Sequence, residues 1–97
     1  MLPIQRLERY SQTHPGEVLR IEALVDGEAD QLMIFRGFSS SLSRPTDPDP
    51  DVPLLGTGDR ILRIERFRAP FQPTAPHPLA PACDWAEMER YLDSLGL

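Results

Sequence analysis

Residues 17–38, EVLRIEALVDGEADQLMIFRGF, decide the fold of this chain because they carry the pattern of a complete β-hairpin. Residues 17–25 alternate between apolar and polar side chains well enough for a strand. Asp26-Gly27 then supplies a strong hairpin-turn signal. Residues 30–38 form the returning strand, whose apolar run Leu32-Met33-Ile34-Phe35 faces both sides, so this strand is predicted to lie inside the sheet. The sequence therefore predicts an antiparallel hairpin over residues 17–38.

The segment after the hairpin is unusual in composition. Gly37 lies inside the second strand pattern, where glycine often marks a bulge or a close backbone approach, and the serines after it continue the strand around a bend. Residues 39–59 are first rich in serine and then in proline and aspartate. Because closely spaced prolines favour polyproline II geometry, we expect this loop to be extended and stiff. Polar segments on rigid scaffolds often carry function, so this loop is the first place to look for it.

The remaining elements follow from local signals. Pro3 suits the first position of a short helix over residues 3–12. Residues 60–67 form a third strand, and the five prolines of residues 69–81 exclude a helix or a central strand there. Asp84 caps a closing helix over residues 84–95, and Gly96 suits its end. The apolar stripe of this helix consists of Trp85, Met88, Leu92 and Leu95.

These elements predict one α+β domain over residues 1–97. Its core is a curled antiparallel sheet of three to five strands, and the C-terminal helix buries Trp85, Met88 and Leu92 against it. Two architectures remain open at this stage: a small barrel of the SH3 type and a split α/β sandwich. A chain of 97 residues is long enough to close one modest hydrophobic core.

Composition excludes several functional classes. The apolar runs are much shorter than the ~20 residues of a membrane span, and the start lacks a secretory signal, so we expect a soluble cytoplasmic protein without membrane insertion. A single cysteine, Cys83, with only His14 and His77, falls short of a zinc site. The net charge of −5 argues against general nucleic-acid binding, although all ten basic residues are arginine.

No catalytic or metal-binding pattern emerges. The acids Asp47, Asp49 and Asp51 alternate as in a calcium loop, but the required glycine and glutamate positions hold Val52 and Gly58. A helix N-terminus could lower the pKa of the Cys83 thiol, yet a small packing residue is the more common role there. We therefore expect no cofactor, no metal and no enzymatic activity.

The chain also resembles a small uncharacterised domain family of cyanobacteria and plant plastids. The resemblance rests on residues 31–42 (QLMIFRGFSSSL), 44–46 (RPT) and 49–54 (DPDVPL), and it continues through 61–66, 69–73 and 84–88. It covers most of residues 16–92, and the Gly-Phe-Ser-Ser-Ser block at 37–41 is its most specific part. What the resemblance implies is a setting in an organism that performs oxygenic photosynthesis, stromal in the case of a plastid homologue.

Together these observations favour a non-enzymatic protein-interaction module, an accessory or assembly factor for photosynthetic machinery. The alternative is a regulatory domain that responds to a small anion or nucleotide held in the serine-rich bend between Arg36 and Arg44. The partner is expected to be another protein, bound by a surface between Phe38 and Pro53. The predicted contact residues are Arg36, Phe38, Ser39, Ser40, Ser41, Arg44, Asp49 and Asp51.

Overall fold

The computed structural model describes residues 2–42, 55–56 and 58–97 of the chain. Within them lie two helices and four strands. Their bounds are α1 Pro3–Thr13, β1 Glu17–Val25, β2 Glu28–Phe35, β3 Phe38–Ser41, β4 Arg60–Arg68 and α2 Trp85–Ser94. The strands form one antiparallel sheet in the order β3-β2-β1-β4. The predicted α+β class is therefore confirmed.

The sheet is open, so the small-barrel alternative does not hold for this chain. Closure would require the outer strands β3 and β4 to pair with each other, and the pairings of the described strands are β1–β2, β1–β4 and β2–β3. The outer edge of β4 is instead covered by the proline-rich connection. Pro78 of that connection bridges to Phe67, and Cys83, which follows the connection, bridges to Ile64. Prolines are tolerated there because a strand edge does not need every amide for a ladder.

The predicted β1–β2 hairpin is present, and its turn has the chemistry that the sequence indicates. Val25 pairs with Glu28, which leaves Asp26 and Gly27 as a two-residue loop. Both loop residues have positive φ, 52° and 80°. Two positive values are the requirement of a type I′ turn, whose twist matches that of the flanking strands. This turn fixes the register of the whole β1–β2 ladder.

A second hairpin follows, and it corrects the sequence-based assignment. β2 ends at Phe35, and Arg36 and Gly37 form another two-residue loop with φ values of 52° and 86°. The chain then returns as β3, with Phe38 opposite Phe35. The strand predicted to run through Phe38 therefore ends at Phe35, and Gly37 lies in a tight turn instead of a bulge. Gly37 serves the tight turn, because only residues at ease with positive φ close a loop this short.

Both helices cover the same face of the sheet, and the core lies between the two layers. Alternate residues of the strands point to that face and are fully buried. From the sheet these are Leu19, Ile21, Ala23, Leu32, Ile34 and Ile64. α1 adds Ile4, Leu7 and Tyr10, and α2 adds Met88 and Leu92. Of the residues predicted to be buried by α2, Met88 and Leu92 are confirmed, whereas Trp85 is only half-buried.

A polar cluster joins both helices to the sheet. The Tyr10 hydroxyl of α1 donates to the Glu17 carboxylate of β1 at 2.8 Å and lies 3.4 Å from the Tyr91 hydroxyl of α2. From β4, the Arg66 Nε lies 3.2 Å from Glu17 Oε1, and its guanidinium lies 4.9 Å from the Tyr91 ring. Burial, followed by these hydrogen bonds, raises the pKa of Tyr10 above its ordinary value. The phenol therefore remains a neutral donor.

The closing helix has the predicted ends. The Asp84 carboxylate accepts a hydrogen bond from the Glu87 amide at 2.9 Å, as an N-cap should. At the other end Gly96 has a φ of 75°, and its amide donates to the Asp93 carbonyl. The Leu97 amide donates to the Leu92 carbonyl at 2.9 Å. These two bonds form a Schellman motif, which satisfies carbonyls that would otherwise lack partners.

We predict that Tyr10→Phe destabilises the domain by about 1.5–3 kcal/mol, because it removes a hydrogen bond to a charged, partly buried group. Denaturant titration of the wild type and the variant measures the difference. Tyr91→Phe is the matched control, and its effect should be smaller because its hydroxyl is 3.4 Å from its partner. Equal midpoints for wild type and Tyr10→Phe would show that the Tyr10 hydroxyl contributes nothing to stability.

We predict that Asp84→Ala lowers the free energy of unfolding by roughly 0.5–2 kcal/mol, the usual cost of losing an N-cap. Asp84→Asn is the control, because asparagine caps about as well as aspartate, and it should remain close to the wild type. Thermal or denaturant unfolding of the three proteins decides between the outcomes. A loss of the same size in Asp84→Asn would mean that the charge of Asp84, rather than its cap, is what matters.

Candidate functional site

The turn between β2 and β3 presents a small exposed surface that we call the hairpin patch: Phe35, Arg36, Phe38 and Ser40. Phe38 is 80% exposed and Phe35 is 37% exposed. Their side chains lie next to each other, because the two residues are direct cross-strand partners. Ser40 follows on the same face by strand alternation. The patch lies on the sheet face opposite the helices.

The patch is the exposed end of an apolar row that crosses the entire sheet. Phe38 pairs with Phe35, Phe35 with Val18, and Val18 with Phe67. Exposure falls along this row from Phe38 to Phe67, which is only 2% exposed. At the buried end Phe71 of the proline-rich connection packs edge-on against Phe67, with the ring centroids 5.0 Å apart. Phe71 therefore covers the Phe67 end of the row, whereas none of the described residues covers the Phe38 end.

Each end of the row carries an arginine. The Arg36 guanidinium lies 4.9 Å from the Phe35 ring centroid, and Arg20 lies 5.1 Å from that of Phe67. Their surroundings differ, because Arg20 also makes two hydrogen bonds to Glu65, at 3.0 and 3.1 Å. Arg36 makes no ion pair within the described part of the chain. Its charge is therefore available to a binding partner.

α1 holds the turn in place. The Gly37 amide donates to the buried Ser11 hydroxyl at 3.2 Å, and the Ser39 hydroxyl donates to Glu8 at 2.8 Å. A β-carbon built on Gly37 would lie 3.3 Å from that of Gln12, so the helix and the turn approach closely. Glycine is thus favoured at position 37 by its positive φ, and a larger side chain would also press on Gln12. The patch is presented on a rigid support.

The structure separates the predicted contact residues into two groups. Arg36, Phe38 and Ser40 belong to the hairpin patch. Ser39 and Ser41 point to the helix-covered face, where Ser41 donates to the Asp30 carboxylate at 3.0 and 3.1 Å. Arg44, Asp49 and Asp51 lie outside the described residues. Of the predicted serines Ser39, Ser40 and Ser41, Ser40 is therefore the one on the same sheet face as Phe38.

The surroundings of Ser39 and Ser41 disfavour a bound anion. Their hydroxyls donate to the carboxylates of Glu8 and Asp30. These negative groups would repel a phosphate or sulfate at the same place. The Ser39 and Ser41 hydroxyls thus serve the packing of β3 against α1 and β2.

Cys83 and His14, which are candidates for nucleophilic chemistry by residue type, also have surroundings that suit a structural role. Burial, together with the charges of Glu87 and Asp84, raises the pKa of the Cys83 thiol, so the alternative in which the helix end lowers it does not hold. The His14 ring stacks on Tyr10 with the centroids 4.1 Å apart. Within the described residues no cluster of three metal-ligating side chains is found. None of the helices described is long and apolar enough to cross a membrane.

Sequence reasoning missed Phe35 as a surface residue, because the run Leu32-Met33-Ile34-Phe35 reads as buried on both faces. It also missed the apolar row from Phe38 to Phe67, because the cross-strand partners of Phe35 are set by the strand register, which the sequence does not reveal. The available signal was the two-residue segment Arg36-Gly37 between Phe35 and Phe38, which has the length and the glycine of a hairpin turn although arginine is unusual at positive φ. An exposed phenylalanine directly after a tight turn is the feature to look for.

The chain belongs to a family of uncharacterised domains, the one described as Domain of unknown function (DUF7734), whose family model matches residues 4–92. The match begins at Ile4 and ends at Leu92, both of them core residues, so the family unit coincides with the folded unit. The predicted membership in an uncharacterised family is thereby confirmed. Neither a curated protein nor a solved structure gives a significant match.

Proposed function

We propose that this domain is a non-enzymatic protein-interaction module that binds its partner through the hairpin patch. The observation that carries the proposal is Phe38, an aromatic side chain 80% exposed beside a second exposed phenylalanine. Contiguous exposed apolar side chains frequently mark interaction sites on soluble domains. Aromatic and arginine side chains also dominate the binding energy of many interfaces. The patch combines both residue types within one turn.

Rigidity supports the same proposal. Ser11 and Glu8 of α1 anchor the turn through Gly37 and Ser39. A side chain that is already fixed loses little conformational freedom when a partner binds, so more of the contact energy appears as affinity. A flexible loop carrying the same phenylalanine would lack this advantage. The cation of Arg36 beside the ring favours a partner segment that offers a carboxylate near an apolar side chain.

The proposed setting is that of an accessory or assembly factor for photosynthetic machinery. Its support is the resemblance to a family of cyanobacteria and plant plastids, with the cytoplasm or the stroma as the compartment. The net charge of −5 supports a protein rather than a nucleic acid as the partner. The proposed partner is thus a protein of a cyanobacterial cell or of a plastid.

The first test replaces the exposed ring. Phe38→Ser should abolish recovery of a stoichiometric partner from cyanobacterial lysate, while stability stays within about 0.5 kcal/mol because the side chain is at the surface. Leu79→Ser is the matched control, since Leu79 is 44% exposed but lies beside the β4 edge rather than the β3 edge. Affinity capture with mass spectrometry reads out binding, and thermal unfolding reads out stability. Equal recovery by wild type and Phe38→Ser would refute the hairpin patch as the contact surface.

The second test uses the backbone of Arg36, whose φ of 52° is unfavourable for arginine. Asparagine adopts this conformation more readily, which relieves about 1–2 kcal/mol, while the stacking on Phe35 that is lost at an exposed site contributes about 0.5–1 kcal/mol. Arg36→Asn should therefore leave stability level or slightly raised and weaken partner binding. Arg36→Lys, which keeps the charge but not the planar guanidinium, should bind with intermediate strength. Undiminished binding by Arg36→Asn would exclude Arg36 from the interface.

A further inference from the structure

An uncharged strip runs along the outer face of the sheet, the face opposite the helices, and the hairpin patch overlaps one end of it. The strip consists of three facing pairs whose side chains point away from the helices: Phe35 and Phe38, Met33 and Ser40, Gln31 and Leu42. The last pair follows from the Leu42 amide, which donates to the Gln31 carbonyl at 2.9 Å. Leu42 is 59% exposed, so the far end of the strip also presents an apolar side chain. We call this set of pairs the outer-face strip.

Charged residues border the strip along its side. The same cross-strand rows continue onto β1 and β4, where Arg20 bonds to Glu65 at 3.0 and 3.1 Å and Glu22 faces Arg63. A second copy of the sheet packed face to face would have to cover these charges as well as the strip, which costs desolvation. A partner one helix wide, ~10 Å, can cover two adjacent strands, which lie ~4.8 Å apart. The charges therefore favour a narrow partner over a second copy.

The backbone of the strip favours a helical partner over an extended one. β2 pairs with β1 on one side and with β3 on the other, so its backbone groups belong to the two ladders. An extended segment lying on the outer face would lose water from its own backbone groups without gaining partners there. A helix satisfies its backbone internally and needs only an apolar stripe to bind. α1 already packs in this way on the other face of β2 and β3.

The far end of the strip borders a hollow of about 530 Å³. Leu42 and Leu62 lie on the two outer strands at this hollow, with Gln31 and Glu22 between them. Leu62 is 42% exposed, so both leucines are open to a partner side chain. Phe38 lies four positions before Leu42, which corresponds to ~13 Å along the strand. A helix covers that distance in about eight residues, so apolar side chains about seven or eight positions apart reach both ends.

The two ends of the strip differ in charge, and this difference gives the bound helix a direction. Arg36 lies at the β2–β3 turn. Around the β1–β2 turn at the other end, Asp26, Glu28 and Asp59 outnumber Arg60 among the described residues. The last turn of a helix carries partial negative charge, and the first turn carries partial positive charge. The C-terminal end of the helix is therefore expected at Arg36.

We infer that the partner binds this domain with one amphipathic helix, which lies along the outer-face strip from Phe38 to Leu42. Apolar side chains of the helix contact Phe35 and Phe38 at one end and enter the hollow beside Leu62 at the other. The inference rests on the proposed function, because the hairpin patch supplies one end of the strip. It adds the conformation, the length and the direction of the bound segment.

Photo-crosslinking at single positions tests the conformation of that segment. Phe38 and Leu42, both exposed, are replaced one at a time by p-benzoylphenylalanine, and each protein is irradiated in cyanobacterial lysate. Mass spectrometry then locates the cross-linked residues of the partner. Both positions should mark one segment of one protein, at residues about eight apart, because ~13 Å of strand matches that length of helix. The residue marked from position 38 should lie on the C-terminal side.

The other outcomes are distinguishable from one another. A spacing of about four residues would mean an extended segment, and cross-links to peptides of this chain would mean a second copy; either overturns the inference. A cross-link from position 38 without one from position 42 would exclude the helix but keep the hairpin patch as a contact. No cross-link from position 38 would refute both proposals, and the reverse order of marked residues would refute the direction. Leu79, replaced in the same way, is the control and should not mark the segment.

A synthetic peptide of the marked segment then tests for the helix directly. Its binding should produce a saturable gain of helical signal in far-ultraviolet circular dichroism. Leu62→Ser, which removes one wall of the hollow, and Ser40→Glu, which places a charge in the strip, should each weaken the peptide on the order of tenfold. Leu79→Ser should bind like the wild type. Binding without a gain of helical signal, or with full affinity in both Leu62→Ser and Ser40→Glu, would overturn the inference.

Discussion

The pairing of β1 with β2 across the Asp26-Gly27 turn determines where every other part of this domain lies. It directs Leu19 and Ile21 of β1, with their partners on β2, to one face of the sheet. A shift of one residue would exchange the two faces and expose this core, so the register is strongly specified. Both helices then cover the apolar face, and the opposite face keeps its exposed phenylalanines. The position of the proposed interaction surface is thus a consequence of the turn as much as of its own residues.

The sequence is sufficient to predict those structural elements whose signals are local. Asp26-Gly27 predicts its turn because both residues tolerate positive φ, and Asp84 predicts the start of α2 because its carboxylate can accept a first-turn amide. The second hairpin escaped prediction for the corresponding reason. Arginine is a poor choice for positive φ, so Arg36-Gly37 does not look like a turn. The anchoring of Gly37 by Ser11 offsets that cost, and such a contact between α1 and a distant turn leaves no pattern in the chain.

The candidate contact residues also differ in how far the sequence alone predicts them. Arg36 and Phe38 were predicted as contacts from their polar and aromatic surroundings, but the row that leads from Phe38 to Phe67 depends on three strand registers. The contacts predicted for Arg44, Asp49 and Asp51 remain predictions. Local chemistry can thus be read from the chain, whereas side chains brought together by tertiary packing cannot.

The strand order also has a consequence for synthesis on the ribosome. β1, β2 and β3 follow one another with two-residue loops and can pair as soon as they emerge. The second edge of β1 must wait for β4, which is encoded well beyond the serine- and proline-rich segment. Until then a nascent chain presents an unpaired strand edge, the kind of surface through which unfinished chains associate. Arg20 and Glu22 lie on β1, and their charges make pairing with a strand of another chain less favourable. Once β4 has paired with β1, Glu65 neutralises the charge of Arg20.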